Sequence, residues 1–105
     1  MFVARWIIDA KFGHKDEVMA LTKRWYQEVG DRAGMKPGNS RTLTGSIGAA
    51  ESRFEFEAQF ETLADLEKGW AEMAKIPGHK QFSKDLEQHV VSGSNRWEIL
   101  RIIDM

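Results

Sequence analysis

The clearest pattern in the chain runs from Arg53 to Phe60. Phe54, Phe56, Ala58 and Phe60 fall on one side of an extended chain, and Arg53, Glu55, Glu57 and Gln59 fall on the other. That is the period of two expected of a half-buried strand. Phe2 to Asp9, rich in β-branched and aromatic residues, predicts a second and central strand. Arg41 to Gly48 alternates more weakly. Arg41, Leu43, Gly45 and Ile47 share one parity, and Thr42, Thr44, Ser46 and Gly48 share the other. With Ala49 to Ser52 as the turn, this segment predicts a hairpin with Arg53–Phe60. Asn95 to Asp104 predicts the last strand.

Between the strands the period changes. His14 to Val29 has helical spacing, with Val18, Leu21, Thr22, Trp25 and Val29 on one stripe. Asp16 and Glu17 occupy its first turn, where the helix dipole favours negative charge. Gly30 is a natural stop, and Gly34, Pro37, Gly38, Asn39 and Ser40 mark a loop over 31–40. Thr62 opens a second helix as a capping residue with Asp65 three positions on. Its buried stripe reads Leu63, Leu66, Trp70, Met73 and Ala74, and Pro77-Gly78 breaks it. A further helix runs from about Lys80 to Val90, with Phe82, Leu86 and Val90 at four-residue spacing, and Ser92-Gly93-Ser94 ends it. The order β-α-β-β-α-(α)-β describes an α+β, ferredoxin-like domain, in which helices cover one face of a four-stranded antiparallel sheet.

One sheet face must meet the helices. Phe2, Ala4, Trp6 and Ile8 fit that face, as do the phenylalanines of 53–60 and, by parity, Leu43 and Ile47. The other face then carries Val3, Arg5 and Ile7, Thr42, Thr44 and Ser46, and Arg53, Glu55, Glu57 and Gln59. In the last strand Trp97, Ile99, Arg101 and Ile103 alternate with Arg96, Glu98, Leu100 and Ile102. A strand apolar on both sides is usually covered on both sides. The chain has no spare helix for the task, so a second copy is the expected cover, in a symmetric homodimer.

The composition narrows the functional classes. With 105 residues, 42% of them apolar, the chain is read as a single globular domain spanning 1–105. Fifteen Lys and Arg against sixteen Asp and Glu give a net charge of −1, which speaks against nucleic acid as a partner. The absence of cysteine excludes disulfides, thiol catalysis and Cys-ligated zinc. No window approaches the roughly 20 apolar residues of a membrane-spanning helix, and no secretory leader is visible. A cytoplasmic protein without a membrane partner is the expectation.

The chain resembles the dimeric α/β-barrel superfamily, in which two ferredoxin-like protomers pack sheet against sheet. The resemblance rests on Phe12-Gly13-His14-Lys15-Asp16-Glu17-Val18, on Arg53–Phe60 followed by Thr62-Leu63-Ala64-Asp65-Leu66, and on Trp70…Met73…Pro77-Gly78-His79…Phe82. It also rests on Val91-Ser92-Gly93-Ser94 leading into Glu98-Ile99-Leu100-Arg101. The order of these loose motifs covers nearly the whole chain. The C-terminal half looks most similar to the NIPSNAP-like and antibiotic-biosynthesis-monooxygenase-like branches. The resemblance implies a small-molecule enzyme, monooxygenase-like or isomerase-like, within a superfamily that also holds haem-degrading enzymes and peroxidases. In the haem-degrading relatives a histidine after the second helix ligates iron, beside a helix tryptophan and a first-strand asparagine. His79 and Trp70 match two of the three, but the first strand offers Arg5, Trp6 and Asp9 and no asparagine, which argues against haem.

The residues themselves suggest two places for chemistry. His79 and Trp70 fall near the cleft between helices and sheet; the bland alternative is a core Trp70 and a His79 that caps a helix start. Arg5, Arg53, Glu55, Glu57 and Arg101 could face the space between two sheets, where a desolvated Glu55 or Glu57 would have a raised pKa and act as a base; the bland alternative is cross-strand ion pairing. The expected site therefore has Glu55, His79 and Arg5 as catalytic groups and Val3, Trp6, Ile7, Trp70, Glu57 and Arg101 as ligand-binding groups, with a small molecule as partner. No cofactor or metal is expected, since three scattered histidines make no metal motif. The competing reading is a non-catalytic ligand-binding or assembly module on the same fold, because no nucleophile motif or diagnostic acid–base pair is present.

Overall fold

A computed structural model describes residues 1–105. The elements are β1 (Phe2–Asp9), α1 (Lys15–Trp25), β2 (Ser40–Thr44), β3 (Arg53–Phe60), α2 (Leu63–Ala74), α3 (Pro77–Glu87) and β4 (Arg96–Arg101). The four strands form one antiparallel sheet in the order β2-β3-β1-β4, and the three helices lie on one face. This is the predicted ferredoxin-like α+β arrangement.

The helix-facing side holds the core. Ala4 and Ile8 of β1 and Phe54, Phe56, Ala58 and Phe60 of β3 pack with Val18, Trp25 and Val29, with Leu66 and Met73, and with Phe82 and Leu86. The stripes read from spacing are buried at Val18, Trp25 and Val29 and at Phe82 and Leu86, but that of α2 only at Leu66 and Met73: Leu63 and Trp70, 52% and 37% exposed, and Ala74 lie outside the core. Thr62 caps α2 as expected, its hydroxyl accepting a hydrogen bond from the Asp65 amide at 3.1 Å. Arg24 of α1 donates to Asp85 of α3 at 2.9 Å, tying the two helices at their outer edge.

Two expectations about local structure are corrected. Pro77-Gly78 begins α3 and does not merely separate two helices: Ile76 is the extended residue before it and Pro77 the first helical one. Proline suits that position, because the first helical residue has no intrahelical use for its N–H. The helical run that begins with α1 ends at Gly30, as expected, although Gly30 itself is not left-handed. The chain continues from Trp25 into a π-helical turn over Tyr26–Gly30.

The second correction concerns β2, which is shorter than expected and of opposite parity. Thr42 pairs with Phe56 and Thr44 with Phe54, so the threonines share the helix-facing side. Arg41 and Leu43 pair with Glu57 and Glu55 on the open side, and Ile47 lies beyond the strand, fully exposed. Pairing with β3 sets the register of this edge strand. Its own alternation, one leucine among polar residues, is too weak to do so.

Candidate functional site

The α3–β4 connection is fastened to the end of β1. Val91 N–H donates to the Asp9 carbonyl and Lys11 N–H to the His89 carbonyl, Ser94 Oγ accepts from Asp9 N–H at 3.1 Å, and the His14 and His89 Nδ1 atoms are 2.8 Å apart. This arrangement holds one rim of a cleft between the helices and the β1–β4 side of the sheet. The cleft is about 780 Å³, within the range of small-molecule sites. Its wall is aromatic. Trp97 of β4 stands between Trp6 of β1, with centroids 6.3 Å apart, and Trp70 of α2, 5.3 Å away and edge-on. Phe82 of α3 lies 6.4 Å from Trp6. Trp70 and Trp97 are 37% and 42% exposed, so both reach the mouth of the cleft.

His79 is the one imidazole in this wall. It is the third residue of α3, placed there by the Pro77 start. Its Nδ1 accepts a hydrogen bond from Nε1–H of the buried Trp25 at 3.1 Å. Burial pulls its pKa below the ordinary histidine value, so the ring is neutral at pH 7. Trp70 is therefore a residue of the cleft mouth and not of the core, and His79 reaches across to α1 instead of capping its own helix.

The opposite face of the sheet carries a different construction. Arg41, Glu57, Arg5 and Glu98 stand directly opposite one another on β2, β3, β1 and β4. They form a row of alternating charge across all four strands. Glu57 accepts from Arg5 Nη2 at 2.7 Å and from Arg41 Nε at 2.9 Å. Glu98 lies 4.0 Å from Arg5 and 3.5 Å from Arg96. Burial alone would raise the Glu57 carboxyl, but the hydrogen bonds from Arg41 and Arg5 outweigh it and hold the pKa below the usual range. The hydrogen bond to Glu57 likewise raises Arg5 above its ordinary value. Arg53 is ion-paired with Glu55. Around the row lie Val3 and Leu43, partly buried, Ile7, at 2% exposure, and Leu100, at 41%.

The expected site residues thus separate. Trp6, Trp70 and His79 meet in the helix-side cleft. Val3, Arg5, Ile7, Glu55 and Glu57 have their register positions on the open face, although Glu55 also borders the cleft. Arg101 joins neither group: it is paired with Phe2 on the helix side, and its guanidinium lies 5.1 Å from the centre of the Phe2 ring. His79 lines the cleft and Arg5 does not, its register position being on the opposite face of the sheet. A base made from Glu57 is also corrected, since two guanidiniums hold it ionised and lower its basicity. Trp25 and Trp97 were not foreseen as site residues. The signal for Trp25 was weak: a tryptophan on a buried stripe whose N–H must find a partner. No group of three or more His, Asp or Glu side chains is placed to hold a metal ion.

No protein-family model and no curated protein matches the sequence. Solved structures do resemble it. A NIPSNAP family protein from Agrobacterium tumefaciens superposes with a TM-score of 0.81 at 18% identity, over 98% of this chain and 93% of that one. A NIPSNAP-like domain protein from Burkholderia xenovorans gives 0.78 at 17% identity, over 97% and 84%. An antibiotic biosynthesis monooxygenase gives 0.69 at 10% identity, over 99% and 100%. At these identities the likeness is one of fold, and function has to be argued from the site. The chain has the ferredoxin-like α+β fold shared by NIPSNAP family proteins and antibiotic biosynthesis monooxygenase-like proteins.

Proposed function

We propose that this protein is a homodimeric small-molecule enzyme of the dimeric α/β-barrel type, monooxygenase-like or isomerase-like, that binds a largely apolar molecule in its helix-side cleft. The observation that carries the reading is the cleft itself: an aromatic-walled space of about 780 Å³ with a neutral imidazole in its lining. Small-molecule sites combine an apolar wall with a few placed polar groups in this way. The fold shared with an antibiotic biosynthesis monooxygenase is compatible with it.

The dimer is supported by the open face. Read across the sheet, its charged row runs plus, minus, plus, minus. Reversed end for end, such a row is its own complement. A second copy related by a twofold axis parallel to the strands would set every charge against its opposite, while burying Val3, Leu43 and Leu100. The competing reading, a non-catalytic binding module, draws support from the placement of the carboxylates: those of the ion-paired row lie on the face away from the cleft.

A native mass spectrum of the purified protein tests both halves. The expected species is a dimer near 24 kDa, twice the 12.0-kDa chain, and a retained adduct would identify the ligand class. A bare monomer at micromolar concentration would refute the dimer. Turnover of a ligand found this way, abolished by His79→Phe, would separate the enzyme from the binding module.

A further inference from the structure

His79 and Trp25 come from helices 54 residues apart in sequence, yet they meet in one hydrogen bond. A tryptophan N–H can only donate. The nitrogen that receives it, Nδ1, must therefore present a lone pair, and the proton of the neutral ring must sit on Nε2. We propose that Trp25 is a positioning residue that fixes His79 as an Nε2–H donor, and that the cleft accordingly takes ligands presenting a carbonyl or anionic oxygen to it. This rests on the cleft being the ligand site.

Three features of the structure support the assignment. First, the Trp25 ring is held from several sides. It is 7% exposed and packs edge-on against Phe56, with centroids 5.3 Å apart, and at a tilt against Phe82, 6.1 Å away. Gly30, at the end of the π-helical turn, approaches it so closely that a Cβ there would lie 2.9 Å from Cζ3. Second, His79 occupies the first turn of α3, where the positive end of the helix dipole disfavours a second proton on the ring. Third, Nε2 has no partner within the protein and is not a sealed, unsatisfied atom, while His79 lines the cleft. A free donor on a fixed ring, in an apolar wall, is a group that selects for an acceptor.

The assignment also restricts the chemistry. Nε2 cannot accept a proton from substrate while it carries its own, so His79 acts as an electrophile that polarises a carbonyl or stabilises an oxyanion. It does not act as a general base. The same tautomer withholds the Nε2 lone pair from a metal.

Long-range ¹H–¹⁵N correlation of the ¹⁵N-labelled protein at pH 7, with His79 signals identified by their loss in His79→Gln, reads the tautomer directly. The expected result is a protonated Nε2 and a bare Nδ1; the reverse pattern, or an even mixture, overturns the proposal without requiring any variant to fold. Trp25→Phe keeps the ring and removes the donor, and should shift the wild-type pattern towards a mixture. Calorimetric titration with 9-fluorenone and with fluorene, which lacks the carbonyl oxygen, tests the ligand class. One hydrogen bond of about 1–1.5 kcal/mol predicts roughly tenfold tighter binding of the ketone, lost in His79→Phe. Equal affinity for both probes overturns the donor role and leaves the cleft standing as a site. Failure of both to bind overturns the ligand class and the cleft reading together, while the tautomer measurement still decides what Trp25 does.

Discussion

Glu57 lies in the middle of a sheet, 7% exposed, between two guanidiniums that are each within 3 Å of its oxygens. A carboxylate whose pKa is lower in the folded chain than in the unfolded chain contributes stability above its ordinary value, about 4.5 here. It loses that contribution as pH falls through the folded value. His79 works in a separate window. Its folded pKa is depressed by burial, so as pH drops below about 6.5 the unfolded chain takes up a proton that the folded one refuses, and stability falls. Melting temperatures of the wild type, Glu57→Gln and His79→Gln across pH 3–8 should therefore differ in shape. His79→Gln should flatten the slope just below pH 6.5, and Glu57→Gln the slope below about 4.5. At pH 7, Glu57→Gln should also cost about 2 kcal/mol, because the two arginines lose their shared negative charge and one of them meets an NH2 donor in place of an accepting oxygen. Curves that stay parallel at all pH values would show that neither group titrates differently on folding. The ion-paired state of Glu57 was foreseeable from Arg and Glu sharing one strand face. Its position between two arginines was not, since that depends on which strands are neighbours.

At the level of elements, what the sequence revealed depended on how strongly each segment alternates. β1 and β3 carry enough large apolar residues on one parity to determine their faces unaided. β2 carries Leu43 alone, and that single residue pointed to the wrong face, because the register is set by pairing of Arg41 with Glu57 and of Thr42 with Phe56. The cleft shows the same division. His79 and Trp70 were legible from their place around the α2–α3 junction, whereas the partnership of His79 with Trp25 arises from the packing of α1 against α3 and left no local mark. Gly30 ends the helical run, as its residue type suggests, and it also leaves room for the Trp25 ring, which no local pattern marks. With Trp25 Cζ3 at 2.9 Å and the Met35 carbonyl oxygen at 3.0 Å from its hypothetical Cβ, Gly30→Ala should overpack the turn and cost about 1–3 kcal/mol. The same variant should move the Trp25 ring, read as a change in near-ultraviolet circular dichroism. Thr62→Ala makes a control of known kind: loss of the α2 cap should cost about 1 kcal/mol and leave the aromatic signal unchanged.

The whole molecule presents two faces of opposite character, a covered one with an aromatic cleft and an open one crossed by a charged row. If the open face meets its own copy, the geometry of the row determines which twofold is allowed. An axis along the row would set Arg41 against Arg41 and Glu98 against Glu98. An axis parallel to the strands sets Arg41 against Glu98 of the partner subunit and Glu57 against Arg5 of the partner subunit. The end residues provide the test, because Arg41 and Glu98 are the more exposed members of the row. Arg41→Glu alone or Glu98→Lys alone would place like charges at both ends of the dimer. Each should weaken it by about 1–2 kcal/mol, roughly five- to thirtyfold in Kd. The double variant changes the row to minus, minus, plus, plus, which is again its own complement on reversal, so association should recover although the repulsions within each protomer remain. Sedimentation equilibrium of the four proteins at low and moderate salt measures this directly. Recovery in the double variant ties the assembly to the strand-parallel twofold. A double variant that associates no better than the singles would mean that the charged row does not face a second copy in this way.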